Sequence, residues 1–370
     1  MCYAEQRPPR KIWGFSPFRV PQDFKGLYRR LAALYDTKTK RVKHTGPIYR
    51  MVQMGTVLIG RVKEVAAQGK RPVVFSYGAG LDSFWSLVML FSSNDPYWVD
   101  LRERVVLIVH AALGAEFEET DAHLHNVAIP FLRRQGWEMT IVKPRVTARD
   151  GNVYEGIWEY YMAQGAVPTR AKRSCTPRWK IGPLLAACKD LLGTDDYETI
   201  INYDASETHR TERLKEVPEA ERERIRDRLH HPPMVMGKYR LDMAEELLAM
   251  NLEVPRKSAC FFCIFQKVAE IEWMALNKPH FMAKTIALEE NMQRVRRYSR
   301  RAKGKGDITI LSKPMRFYQE RALSKRAAEE AQGRLFEPSN TPPDMLMLSR
   351  RKKAKTVKQI VTAEQTKLAV

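Results

Sequence analysis

The chain has 370 residues, 44% of them hydrophobic, with a formal net charge of +20 and a sequence pI ≈ 9.8. That is enough for a substantial core in one large or two modest domains. No apolar run approaches the roughly 20 residues that cross a bilayer, and "MCYAEQRPPRK" has no apolar segment behind its charges, so the expectation is a cytoplasmic protein without membrane contact. The basic surplus points to a polyanionic partner, nucleic acid first. Five cysteines in such a chain favour metal or redox chemistry over a disulfide framework.

Residues 1–70 read as a helical accessory segment. "FKGLYRRLAALYD" and "MVQMGTVLIGRVKEVAAQ" have helical apolar spacing, and "TKTKRVKHTGP" is a basic linker between them. From Arg71 the rhythm changes. "PVVF" predicts a buried strand, "SYGAGLDS" a loop, "FWSLVMLFSS" a helix and "RVVLIVHAA" a second strand. "TDAHLHNVAIPFLRRQG" predicts an amphipathic helix and "EMTIVK" a third strand. This alternation predicts an α/β fold, a parallel sheet with helices on both faces, over residues 71–275. "KIGPLLAACKDLLG" reads as a helix closed by Gly193, and "YETIINYDAS" as a strand and loop. "VPEAERERIRDRLHHPP" reads as charged and exposed, and "RLDMAEELLAMNL" as a helix. Residues 276–335 read as a helical basic extension, and 336–370, with "SRRKKAKTVKQ", as a mobile basic tail.

Ligands on parallel sheets bind at the carboxyl ends of the strands, where "SYGAGLDS" falls. Its glycines let backbone amides approach an anion, and the helix that follows adds its N-terminal dipole. It is not a Walker A loop, lacking Gly-Lys-Ser/Thr, nor a GxGxxG fingerprint, because Ser83 stands at the third glycine. Asp82 within it points to Mg²⁺ bridging to a phosphate, or to a helix cap. "GAEFEET" places Gly114 and Glu116 just beyond the second strand. Cys175 stands at a helix start, where the dipole and the cations Arg173 and Lys180 favour a thiolate. Cys260 and Cys263 form a Cys-x-x-Cys pair that is redox-active, zinc-binding or cluster-binding. With Cys175 they give three ligands. Cys188 falls on one helical face with Ile181, Leu184 and Leu185 and reads as core.

These segments resemble the sulfonucleotide (phosphoadenylylsulfate) reductase-like family of the ATP-pyrophosphatase, or adenine nucleotide alpha-hydrolase, superfamily, in its phage and prophage form. The superfamily's Ser-Gly-Gly-x-Asp-Ser loop aligns with Gly78, Ala79, Gly80, Leu81, Asp82 and Ser83, with Ser76 just upstream. "GAEFEET" resembles its TGAExPET turn. "KRSCTPRWKIGPL" matches R-x-C-T-x-x-x-K-x-x-P at Arg173, Cys175, Thr176, Lys180 and Pro183. "DASETHR" resembles ADExxR, matching at Glu207, His209 and Arg210, with Ser206 in place of an acid. "PRKSACFFCIFQ" resembles PRKSxCxFCPFQ, with Ile264 in place of proline. Together the matches span about residues 70–270.

The resemblance implies ATP with Mg²⁺ and an iron–sulfur cluster, [4Fe-4S], on Cys175, Cys260 and Cys263; zinc is the alternative. It implies nucleotide binding by Ser76, Gly78, Ala79, Gly80, Asp82, Ser83, Gly114, Glu116, Arg173, Lys180, Glu207 and Arg210, and catalysis by Asp82, Lys180 and Cys175. The activity implied is adenylation of a substrate, tRNA or DNA, for sulfur transfer, with a sulfur-donor protein as a further partner. True sulfonucleotide reductases carry a later cysteine in a Glu-Cys-Gly context, and no cysteine follows Cys263. Reduction of an activated sulfate, and nucleotide-gated nucleic-acid binding without turnover, are the alternatives.

Overall fold

The computed structural model describes residues 35–36, 41–42, 58–148, 151–169, 173–208, 228–297 and 309–332. Its centre is a five-stranded, all-parallel sheet of β1 (Val73–Tyr77), β2 (Val105–Ala111), β3 (Thr140–Val142), β4 (Glu198–Ile200) and β5 (Leu229–His230). The spatial order is β3-β2-β1-β4-β5. β1 and β2 are apolar runs broken only by Ser76 and His110 because both faces are covered. Val73, Phe75 and Tyr77 point into one core and Val74 into the other, the two-residue period of a strand.

The first core is closed by α1 (Leu81–Ser92), α2 (Pro96–Arg104), a helix over 118–134 that we call α3, and, further along the chain, Leu241, Met243, Ala244 and Leu247. A π-turn, Leu124–Ala128, interrupts α3. Its cause is Pro130, which has no N–H to bond the residue 126 carbonyl; the ladder widens instead, and Ile129 N–H bonds Leu124 O. The second core holds Val65, Leu58 and Val62 from the helical residues 58–67. It also holds Cys188 and Leu192 from α5 (Gly182–Leu192), which follows α4 (Ile157–Gln164) in the chain. α6 is Pro232–Val235 and α7, source of the four residues above, is Arg240–Ala249.

A third core binds α4 and the loop after β2 to α8 (Val268–Asn277), α9 (Pro279–Arg297) and α10 (Met315–Ala331). Met274 on α8 and Met315 and Tyr318 on α10 are all buried in it. A boundary at 275 therefore passes through one core, and a boundary at 70 likewise cuts 58–67 from the sheet it covers.

Several elements differ from the sequence-based expectation, among them the unforeseen hairpin Val146–Thr147/Val153–Tyr154 and α4. Tyr35–Asp36, at the end of a stretch read as helical, pairs antiparallel with Arg41–Val42, in the stretch read as linker. Leu229–His230, in the stretch read as exposed, forms β5 and is half-buried beside β4. α2 was not foreseen, although Asp95 caps it by accepting from Tyr97 N–H and Pro96 opens it. Most of 1–57 and the tail from 333, 336–370 included, lie outside the described residues. No helix among the described residues is long and apolar enough to cross a membrane.

Candidate nucleotide and thiol site

β1 and β4 are neighbours, but the chain leaves β1 for one half of the sheet and β4 for the other. The crevice beyond their carboxyl ends is a topological switch point, where open parallel sheets take ligands. Asn202 spans it, donating from Nδ2 to the Ser76 carbonyl at 3.4 Å.

The 76–83 loop turns tightly into α1. Ala79 is buried with φ 55°, a left-handed conformation that disfavours any side chain and favours glycine. Gly80 is needed for closeness: a Cβ there would lie 3.1 Å from Ser258 N and 3.3 Å from Ser258 Cβ. Ser83 faces inward, its hydroxyl accepting Gly80 N–H at 3.2 Å and donating to Gly80 O at 2.9 Å. Ser83 thus shapes the loop, while Gly78 is exposed at its tip.

Asp82 looks across the switch point. Arg240, first residue of α7, grips it with two bonds, Nε to Oδ1 at 3.1 Å and Nη2 to Oδ2 at 3.0 Å. The same guanidinium lies 3.2 Å from Asp204 Oδ2. Burial pulls the Arg240 pKa down, but Asp82, Asp204 and Glu207 outweigh it and hold the charge more firmly than usual. Asp204 is fixed by Ser206, whose N–H and hydroxyl both donate to Oδ1. Asp82, Asp204 and Glu207 each offer a carboxylate oxygen within 4.8 Å of the others, the oxygen-donor set suited to a hard divalent ion such as Mg²⁺.

The thiol side lies on the neighbouring strand end. The loop after β2 pairs with the Cys-x-x-Cys segment: Glu116 bridges to Cys260, and Phe261 N–H donates to Ala115 O at 2.9 Å. Cys175 precedes a π-turn, Thr176–Ile181, that runs into α5. Pro183, without an N–H, removes the α-type bond there, and Gly182 N–H reaches Pro177 O instead. In an α-helix, Cys175 and Lys180 would point about 140° apart; the wider turn brings them to within roughly 50°.

Lys180 accordingly faces the thiols, and its charge acts on both Cys260 and Cys263. Burial holds Cys260 well above the ordinary thiol value, with Glu116 adding to the rise and Lys180 opposing it. Burial also raises Cys263, opposed by the Phe265 N–H donated to its sulfur and by Lys257 and Lys180. Cys175 carries charge coupling to both. Trp179, fully buried on the same turn, has an indole N–H without a hydrogen-bond partner among the described residues.

Soft sulfur donors, adjacent cations and an unsatisfied buried donor are the residue types that a metal–sulfur group would need. Among the described residues, the acidic triad is the group drawn within 4.8 Å, and the three thiols are not.

Other sequence-predicted residues take different roles. The Glu116 carboxylate accepts the Leu113 and Ala115 N–H groups at 3.1 and 3.0 Å, closing its own loop. Gly114 is exposed beside it with φ 71°. Arg173 stacks on Phe265, 4.6 Å from the ring centroid. Cys188 is buried against the sheet, its thiol pushed up to about 11 by burial, while Leu185 is exposed and off the core face. His209 and Arg210 lie outside the described residues.

Sequence reasoning missed Asp204, Arg240 and His110. His110, at the end of β2, is held neutral by burial; its Nδ1 lies 3.0 Å from the Tyr77 carbonyl, and Lys180 lowers its pKa further. Comparison with protein-family models, curated proteins and solved structures gives no match. The residues themselves carry the argument.

Proposed function

We propose that this chain is an ATP-pyrophosphatase-type enzyme that adenylates a nucleic-acid substrate for sulfur transfer, on an adenine nucleotide alpha-hydrolase-like fold in the cytoplasm. One observation carries the proposal. Segments 76–83, 111–117, 173–183 and 256–266, separate in sequence and each bearing a motif, meet at the carboxyl end of one parallel sheet.

In this reading the Gly78 and Ala79 amides and the α1 N-terminus receive the phosphates of ATP. Asp82, Asp204 and Glu207 would hold a Mg²⁺ ion, which supplies positive charge beside the phosphates when bound. An oxygen of the substrate attacks the α-phosphorus, the bond to the bridging oxygen breaks, and pyrophosphate leaves with the electron pair. Sulfur at the sulfide level then displaces AMP, with no net redox change. Cys175, Cys260 and Cys263 would hold an iron–sulfur cluster, which supplies sulfur affinity when bound. Lys180 orients the anionic intermediate beside the thiols, and His110 offers a neutral acceptor nitrogen.

The decisive assay is pyrophosphate release from ATP and Mg²⁺, with and without tRNA or DNA. Nucleic-acid-dependent release that Asp82→Ala abolishes is the expected result. Equal rates in wild type and variant would remove the loop from the mechanism, and no release with any nucleic acid would favour the binding-module alternative.

A further inference from the structure

Phe265 is a large aromatic left 41% exposed, two residues beyond Cys263. Its position is fixed from behind. Its own N–H is donated to the Cys263 sulfur, Lys257 Nζ lies 3.5 Å from its carbonyl oxygen, and the adjacent Ile264 and Gln266 are buried. On the ring sits the Arg173 guanidinium, 4.6 Å from the centroid. Arg173 reaches it from a backbone with φ 39°, a left-handed conformation that a long side chain rarely adopts. That strained conformation places a planar cation on an exposed ring instead of leaving the ring to water.

The flank on the Arg173 side is basic in sequence: residues 169–180 hold five cations and no acid. On the Phe265 side Arg256 and Lys257 are paired with Glu119 and Glu270. An exposed ring with a guanidinium over it, next to a basic stretch, matches an unpaired nucleobase on a phosphate backbone. A duplex keeps its bases inside and offers no face to stack.

We propose that Phe265 and Arg173 form a stacking platform for an unpaired base of a single-stranded or looped polynucleotide. The platform holds that base beside Cys263. This deepens the proposed function and rests on its nucleic-acid substrate.

The test is fluorescence anisotropy with labelled single-stranded RNA and DNA and the matching duplexes, across a salt series and without ATP. Wild type should prefer single strands. Phe265→Ala should weaken single-strand binding roughly tenfold, with duplex binding and the salt slope unchanged. Phe265→Trp should restore it. Because the ring is exposed, Phe265→Ala should melt with wild type, which separates lost stacking from lost fold. Wild-type binding that Phe265→Ala leaves intact, or a preference for duplex, would overturn the platform and leave the adenylation proposal standing. No binding of any nucleic acid would overturn both the platform and the assigned substrate.

Discussion

Arg240 is the hinge of the electrostatics at the switch point, and its replacement by methionine gives a measurable outcome. The change keeps most of the methylene packing and removes one guanidinium shared by Asp82 and Asp204, whose side chains are 15% and 6% exposed. Removing one partner of a buried ion pair costs on the order of 3–5 kcal/mol. The Arg240 side chain is 29% exposed, so water recovers part of this, and the expected loss is about 2–4 kcal/mol. Three carboxylates relieved of that guanidinium should also take a divalent ion more readily. Mg²⁺ at a hundred times its Kd would return about 2.7 kcal/mol. Urea unfolding of wild type and Arg240→Met, each with Mg²⁺ or with EDTA, reads both effects. A variant as stable as wild type, or one whose instability Mg²⁺ does not relieve, would refute the reasoning.

Further outcomes follow from named residues. Ala79→Gly should relieve the left-handed strain and stabilise the fold by up to about 1 kcal/mol, a Tm rise of about 2–4 °C; a lower Tm would show that the methyl packing matters more. His123, buried edge-on against Phe84, has its pKa lowered by burial to about 4. Its folded pKa lies below its unfolded value, so its stability is complete above about pH 6.5 and drains away as pH falls toward about 4, on the order of 3 kcal/mol. His123→Phe should flatten that acid limb of a Tm-versus-pH curve, and an unchanged limb would shift the cause to other groups. After anaerobic iron and sulfide reconstitution, wild type should be brown and Cys263→Ser should lose the visible absorbance, whereas Cys188→Ser should keep it. A colourless wild type containing only zinc would sink the cluster assignment.

Much of the architecture was written in local pattern. β1 and β2 are apolar on both faces, and only a covered parallel sheet requires that. Cys188 could be placed in the core from its helical spacing with Leu184. β5 could not be read, because two residues beside a charged run carry no period; pairing with Thr199 and Ile200 makes the strand. The two π-turns were encoded by Pro130 and Pro183, but a proline inside a helical pattern signals a disturbance without saying which face it re-aims. The site was legible where chemistry clusters along the chain, as in 76–83, 173–183 and 256–266. Arg240 and Asp204 were not, because their meaning comes from tertiary contact: Arg240 lies on an ordinary amphipathic helix far in sequence from Asp82. Glu116 shows a contact that the sequence does not display. Its neighbours match a nucleotide-binding motif, while its carboxylate is occupied by its own loop amides.

The most direct test of adenylation is the identity of the nucleotide products in a reaction of ATP, Mg²⁺, a sulfide source and tRNA or single-stranded DNA. The proposed mechanism predicts AMP and pyrophosphate in equal amounts, matched by sulfur in the recovered nucleic acid. ADP and phosphate, or AMP formed equally well without nucleic acid, would contradict it.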